Sequence, residues 1–421
     1  MPIRREKLAR VLVLACLLTA ASAGQALASP GDRDQTFGGN GKVNTNFTGG
    51  ADFANGVALQ KNGKIVAAGL EGHGRFGLAR YLPDGHLDPT FSDDGKVSTN
   101  FTPETDFARA VAIQPDGKIV AAGFAGDKAT FAVARYHDDG HLDNTFSGDG
   151  KFTTNFTSGD DAAYGLALQA DGKIVVAGSA REGNGDAMFA LARYDTSGHL
   201  DRTFGDNGKL VTNFTPKGDT AFAVAVQPDG KVVAAGRAGY GSNSSMALAR
   251  YLPGGRLDPA FSGDGKVTTN LTAGDDYANA VAVQLDGKIV AAGTGGYTDF
   301  AVVRYGPHGG LDDSFGGDGK VFTDVSVRDD IVHGVAVQLD GKIVAAGSAR
   351  EGYPDATFAL ARYWPHGGLD RSFGGDGTVR TNFSPWGDYA NAVAIQSDGK
   401  IVAAGQAAGS GGRFALARYL P

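Results

Sequence analysis

The chain has 421 residues, of which 65 are Gly and one is Cys; 42% are apolar and the formal net charge is −7. Glycine at about twice its ordinary usage would suit collagen or a disordered tract, but it shows no three-residue period, and the apolar fraction is that of a globular protein. The acidic balance argues against binding a phosphate backbone, which needs a basic stripe.

The first element is a leader. Arg4, Arg5, Lys7 and Arg10 precede an almost wholly apolar run over residues 11–23, and Ala26-Leu27-Ala28 fits a small-residue cleavage site. The run is shorter than the roughly 20 residues that span a bilayer. Residues 1–28 therefore read as a secretory signal peptide and 29–421 as one secreted or cell-envelope domain. A lipoprotein anchored through Cys16 is the minor alternative. Removing the leader takes away the sole cysteine and brings the charge to −10. No second apolar segment suits membrane insertion.

Beyond the leader a single unit recurs. Gly-Lys-(Ile/Val)-Val-(Ala/Val)-Ala-Gly begins at Gly63, Gly117, Gly172, Gly230, Gly287, Gly341 and Gly399, at spacings of 54 to 58 residues. In chain order each unit holds Asp-x-Ala-x-x-Val-Ala-x-Gln (strand a), an Asp-Gly turn, Lys-Ile-Val-Ala-Ala-Gly (b), and a loop. Then come Phe-Ala-Leu-Ala-Arg-Tyr (c), a Gly turn with Leu-Asp-x-Thr-Phe, and Gly-Lys-Val-x-Thr-Asn-Phe-Thr (d). Short segments rich in β-branched or aromatic residues, bounded by Gly, Asp or Pro, are strands, and Asp-Gly between two of them is a hairpin turn. Residues 280–283, 289–292 and 358–361 are apolar at successive positions, the pattern of strands covered on both faces. Strand d alternates polar and apolar, as a half-solvated strand does. This gradient within every unit predicts an all-β, seven-bladed β-propeller with four antiparallel strands per blade.

The ends of the chain complement each other. It opens with a d segment that has no a, b or c before it, and ends with a c strand that has no d after it. Blade seven is expected to combine residues 32–48 with 385–421, which closes the ring and removes two sheet edges.

Length varies in one place. The b–c loop runs from 6 to 10 residues, while every other spacing in the unit is fixed. Alternating strand direction puts b–c and d–a loops on one face of the disc. That face carries Tyr240, Tyr297, Tyr353 and Trp386 with Arg181, Arg237 and Arg350, the candidate binding residues. Variable loops on a rigid scaffold are common binding sites, and aromatics with Arg are common anchors. Drift of tolerant loops is the plainer alternative.

Two series occur in all seven units. The strand-c Arg and the Leu-Asp-x-Thr-Phe Asp are read as a brace, since a ring rarely needs seven copies of one catalyst. Asp52, Asp106, Asp161, Asp219, Asp276, Asp330 and Asp388 open strand a. A calcium-type cation site at the mouth of the central channel is one reading of them. The other is that each carboxylate binds the backbone of its own d–a turn. His333 lies within strand a, where its counterparts are Asn, Arg, Tyr, Phe and Asn, which does not look like a ligand cluster. No catalytic residue is assigned.

The unit at residues 115–123, with residues 131–136, Leu142-Asp143-Asn144-Thr145-Phe146 and Gly150-Lys151, resembles the bacterial delta-60 repeat family over about residues 32–421. The Val-Ala-x-Gln-x-Asp-Gly-Lys-Ile core is similar, more weakly, to NHL propeller repeats. The resemblance implies an exported propeller and carries no catalytic residues with it. The function expected is therefore a secreted, monomeric, non-enzymatic binding or scaffold module that engages a protein or glycan through the b–c/d–a face. The alternative is an extracellular hydrolase or lyase with acids at the channel mouth, with or without a metal.

Overall fold

A computed structural model describes residues 28–421 except 184, 242–243, 297–298, 353–354 and 410. The signal-peptide and Cys16 expectations fall almost wholly on residues 1–27, outside the described set. The described residues form 28 strands in seven four-stranded antiparallel sheets, and no helix among them is long and apolar enough to cross a membrane.

Blade 1 shows the pattern: strand a at Phe53–Leu59, b at Ile65–Glu71, c at Arg75–Tyr81 and d at Lys96–Thr99. The a–b hairpin turns on a glycine in the left-handed region. In blade 2 Gly117 has φ +91°, and the Gln114 N–H donates to the Lys118 carbonyl at 2.8 Å. Blade 7 joins Asp388–Ile395, Ile401–Ala407 and Arg413–Tyr419 to the N-terminal Lys42–Thr45, which pairs antiparallel with the last strand. The expected closure is present.

Packing follows the ring rather than the single sheet. Each of the seven interfaces between neighbouring blades holds its own buried apolar cluster, including blade 7 against blade 1, where Phe37, Phe414 and Leu416 meet Ala54, Ile65 and Tyr81. Strands b and c are buried along most of their length. Strand a is not, contrary to its apolar composition: in blade 5 Val281, Ala282 and Val283 are only partly buried. Seven a strands converge on an axis that their side chains leave partly open, so one face of each borders a hollow.

The Arg–Asp series is the brace that its recurrence suggests. In blade 2 Arg135 Nε donates to Asp143 Oδ2 at 2.7 Å, Thr145 Oγ1 donates to Asp143 Oδ1 at 2.6 Å, and Arg135 Nη1 reaches the Thr196 carbonyl of blade 3 at 2.6 Å. The same guanidinium lies 4.7 Å from the Phe146 ring centroid. One side chain thus ties its own c–d turn to the next blade by charge-assisted bonds. The strand-c tyrosines do likewise, Tyr136 donating to Thr99 Oγ1 of blade 1 at 2.8 Å.

The last Gly of strand b marks a second constraint. A Cβ at Gly293 would fall against the Tyr277 carbonyl oxygen, closer than real Cβ contacts come, and the same clash with strand a recurs in every blade. Gly293→Ala is expected to cost about 1–3 kcal/mol, as overpacking does. Gly310→Ala, where nothing lies within 4 Å, should be near neutral. Thermal melts of the two variants make the comparison.

Candidate functional site

Strand a carries a β-bulge at the same place in every blade. The register between strands a and b slips between Ala54 and Gly56, Ala108 and Ala110, Ala163 and Gly165, Ala221 and Ala223, Ala278 and Ala280, Val332 and Gly334, and Ala390 and Ala392. A bulge leaves one residue unpaired and re-aims its side chain. Those residues are Asn55, Arg109, Tyr164, Phe222, Asn279, His333 and Asn391, and all seven line a hollow of about 190 Å³ on the axis. Small residues follow them because the a strands nearly touch: a Cβ at Gly56 would sit 3.0 Å from Val111 N, and one at Gly165 3.0 Å from the Ala223 Cα.

The ring is lopsided. Asn55, Asn279 and Asn391 each donate an amide N–H to the next blade's carbonyl, of Ala108, Val332 and Ala54, at 2.8 Å. Burial pushes the His333 pKa down to about 4, so its imidazole is neutral at pH 7. Blades 2 to 4 instead present Arg109, Tyr164 and Phe222. The Arg109 guanidinium lies 5.0 Å from the Phe107 centroid, 5.5 Å from Phe124 and 5.8 Å from Tyr164. Tyr164 meets Phe222 edge-on at 5.5 Å, Arg237 lies 5.8 Å from Phe222, and Tyr240 is 5.2 Å beyond Arg237. From the axis to the loop face the row runs Arg109, Tyr164, Phe222, Arg237 and Tyr240, each contact a cation–π or edge-to-face pair.

At its outer end this row opens into a cleft of about 340 Å³ between blades 3 and 4, on the b–c/d–a face. Arg181, Asp186, Arg237 and Tyr240 line it, together with Tyr164 and Phe222. Arg181 ends strand b of blade 3 (Ile174–Arg181), and Arg237 is the next-to-last residue of strand b of blade 4 (Val232–Ala238). Tyr240 stands 68% exposed at the rim. Three of the sequence-derived binding residues are thus brought together. Trp386, 55% exposed, belongs to the d–a loop of blade 7, and Arg350 is paired with Asp329 at 3.4 Å in blade 6, so neither joins the cleft. Tyr297 and Tyr353 lie outside the described residues.

The acidic series sits elsewhere. Asp52, Asp106, Asp161, Asp219, Asp276, Asp330 and Asp388 are fully buried, and none lines the axial hollow. Asp106 shows why: its carboxylate accepts from the N–H groups of Phe101 at 2.7 Å, Thr102 at 3.1 Å and Gly126 at 3.2 Å, and from Thr102 Oγ1 at 2.8 Å. Each Asp ties down its own d–a turn, and the described residues hold no group of three or more His, Cys, Asp and Glu able to take a metal. Of the two readings of this series, these hydrogen bonds are the ones that the turn-binding reading describes.

Tyr164, Phe222 and Arg109 are additions from the structure. Their signal in the sequence is the fourth position of Asp-x-Ala-x-x-Val-Ala, which varies in chemical type from unit to unit between residues that hardly change. Larger hollows of about 520 and 530 Å³ open on the opposite face, but residues present in every unit dominate their walls, such as Gln284, Lys288 and Arg304. They belong to the scaffold.

The fold and its repeats define a closed propeller of seven like blades, and the sequence places it more narrowly. The chain belongs to the family described as "Domain of unknown function (DUF5122) beta-propeller", matched seven times, at residues 60–91, 114–146, 169–204, 227–261, 284–315, 338–373 and 396–421. No curated protein matches it. Among solved structures it is similar to a polysaccharide lyase, an ulvan lyase of family PL25, at 11% identity and TM-score 0.50, over 88% of this chain and 95% of that one. Chaetomium thermophilum Sqt1 bound to the N-terminus of ribosomal protein L10 gives 13% identity and TM-score 0.48, over 90% and 98%. A gluconolactonase from Xanthomonas campestris gives 12% identity and TM-score 0.38, over 93% and 98%. These likenesses are of fold.

Proposed function

We propose that the protein is an exported, monomeric, non-enzymatic binding module that holds a glycan in the cleft between blades 3 and 4. The resemblance to delta-60 repeats and the basic–apolar leader support export. The cleft carries the reading: exposed Tyr240, the ring of Phe222 and two guanidinium groups line one concavity on the face where loop length varies. Flat rings stack on sugar rings, and arginines donate to their oxygens, in a hollow of ligand size rather than on a flat protein-binding surface. Among the described lining residues Asp186 is the sole carboxylate, whereas glycoside hydrolysis uses a pair.

Calorimetric titration of the chain against a glycan panel tests this. Tyr240→Ala is expected to weaken binding at least about tenfold, a loss of about 1.4 kcal/mol, and shortening the b–c connection between Arg181 and Ala187 to abolish it. Trp386→Ala should leave it unchanged. Unchanged affinity in Tyr240→Ala, or no glycan bound, turns the assignment toward a protein partner.

A further inference from the structure

Arg109 and Arg237 share a peculiarity. Each has a buried Nε with no hydrogen-bond partner, and among the described residues neither forms an ion pair. Elsewhere in this molecule inward-facing arginines are matched, as Arg135 is by Asp143. Burial presses the Arg109 pKa down, and the one charged or titratable neighbour that counters it is Tyr164, not a carboxylate. A guanidinium cannot shed its proton at any ordinary pH. Two partly desolvated cations are therefore held by aromatic faces alone, which offset only part of the cost of leaving water.

Tyr164 and Phe222 line both the cleft and the axial hollow, so the two spaces adjoin along these rings. Arg237 lines the cleft and Arg109 the axial hollow. The two unsatisfied donors, Arg109 and Arg237, stand on either side of the Tyr164 and Phe222 rings.

We propose that cleft and axis form one continuous site for an acidic oligosaccharide, with Arg237 and Arg109 each receiving an anionic group of the chain. This rests on the glycan reading of the cleft and adds the charge, the length and the second subsite. Carboxylate and sulfate share the planar or fork-like acceptor geometry that a guanidinium matches, and Asp186 at the cleft wall is placed to accept from a sugar hydroxyl instead. Neutral His333 and the three carbonyl-bound asparagines complete the axial wall without adding charge.

The test is titration of the chain with oligogalacturonates of one, two and four or more residues, a sulfated oligosaccharide of matched length, and a neutral maltooligosaccharide. The acidic oligomers are expected to bind at least tenfold more tightly than the neutral one, with affinity falling as salt rises. Arg237→Gln should lose at least tenfold with every acidic ligand. Arg109→Gln should lose as much with the longer oligomers and nothing with the monosaccharide, and Arg109→Lys should recover part of that loss, which also shows that the axis still folds. The carboxylated and sulfated arms reveal which anion is preferred. Equal binding of neutral and acidic sugars overturns the acidic ligand while leaving the glycan cleft standing. Full affinity of Arg109→Gln for long oligomers overturns the axial subsite. No binding by any sugar overturns this proposal together with the cleft reading.

Discussion

Deleting residues 30–48 is expected to leave a chain that cannot form a soluble, cooperatively melting monomer. The segment supplies strand d of blade 7, whose ladder pairs Lys42–Thr45 with the last strand of the chain. It also supplies Phe37, wholly buried between blades 7 and 1, and Asp34, which accepts from Arg418 Nε at 2.9 Å. Thr45 accepts from Tyr81 at 2.8 Å, across the seam to blade 1. Without it the truncated protein would bury a guanidinium with no counter-charge, open an apolar seam and expose the edge of strand c, the surface that pairs with other chains. Size-exclusion chromatography and a thermal melt decide the matter. A monomeric truncation with a sharp transition would mean that ring closure contributes little.

Removing one carboxylate from the brace should have the second largest effect. Asp143 is fully buried and faces Arg135 at 2.7 Å, with Lys118 at 3.1 Å. Asp143→Ala strands the Arg135 charge, and breaking a buried pair from one side costs about 3–5 kcal/mol. Asp149→Ala, an exposed partner of Lys151, should cost less than about 1 kcal/mol. The same brace sets the response to acid. Burial works to raise the carboxyl pKa of Asp34, Asp201 and Asp312, but donors from the Thr or Ser two residues on, with the Lys and Arg partners, outweigh it and hold all three at about 2 rather than 3.8. A depressed folded-state pKa gives stability that is complete above 3.8 and is lost as pH falls towards 2. With these three pairs giving up their stabilisation over the same range, stability should fall across that interval, and chemical denaturation across pH 2–5 would reveal it.

The sequence discloses the fold because every blade repeats the same solution. Hairpin glycines, Leu-Asp-x-Thr-Phe turns and the missing strand at each end specify strand count, order and closure before any coordinate is seen. The site is less legible. Arg181, Arg237 and Tyr240 stand out as residues on or beside the loops of the variable face, but Trp386 and Arg350 look the same in sequence and lie in other blades. Arg109, Tyr164 and Phe222 are hidden for a different reason. Regular alternation does not place them, since the bulge steps out of the period of two on which such patterns rest. The buried Asp series is legible only as a pair of alternatives. Seven carboxylates suggest a cation, but a carboxylate at a tight turn is as easily consumed by the N–H groups beside it, and no sequence pattern separates the two.

The bulge also separates two kinds of change. Residues inside the ladder are bound to their neighbours, so altering one disturbs a blade. The seven bulge residues lie outside it, three of them tied instead to the next blade's carbonyl, and their identities run from Asn to Arg to Phe at the same place in every blade. The axis is thus lined by one variable side chain per blade, held on a frame whose strand ladder does not include it. If the axis takes part in binding as proposed, what it recognises can change one residue at a time, with no need to lengthen a loop or repack a core.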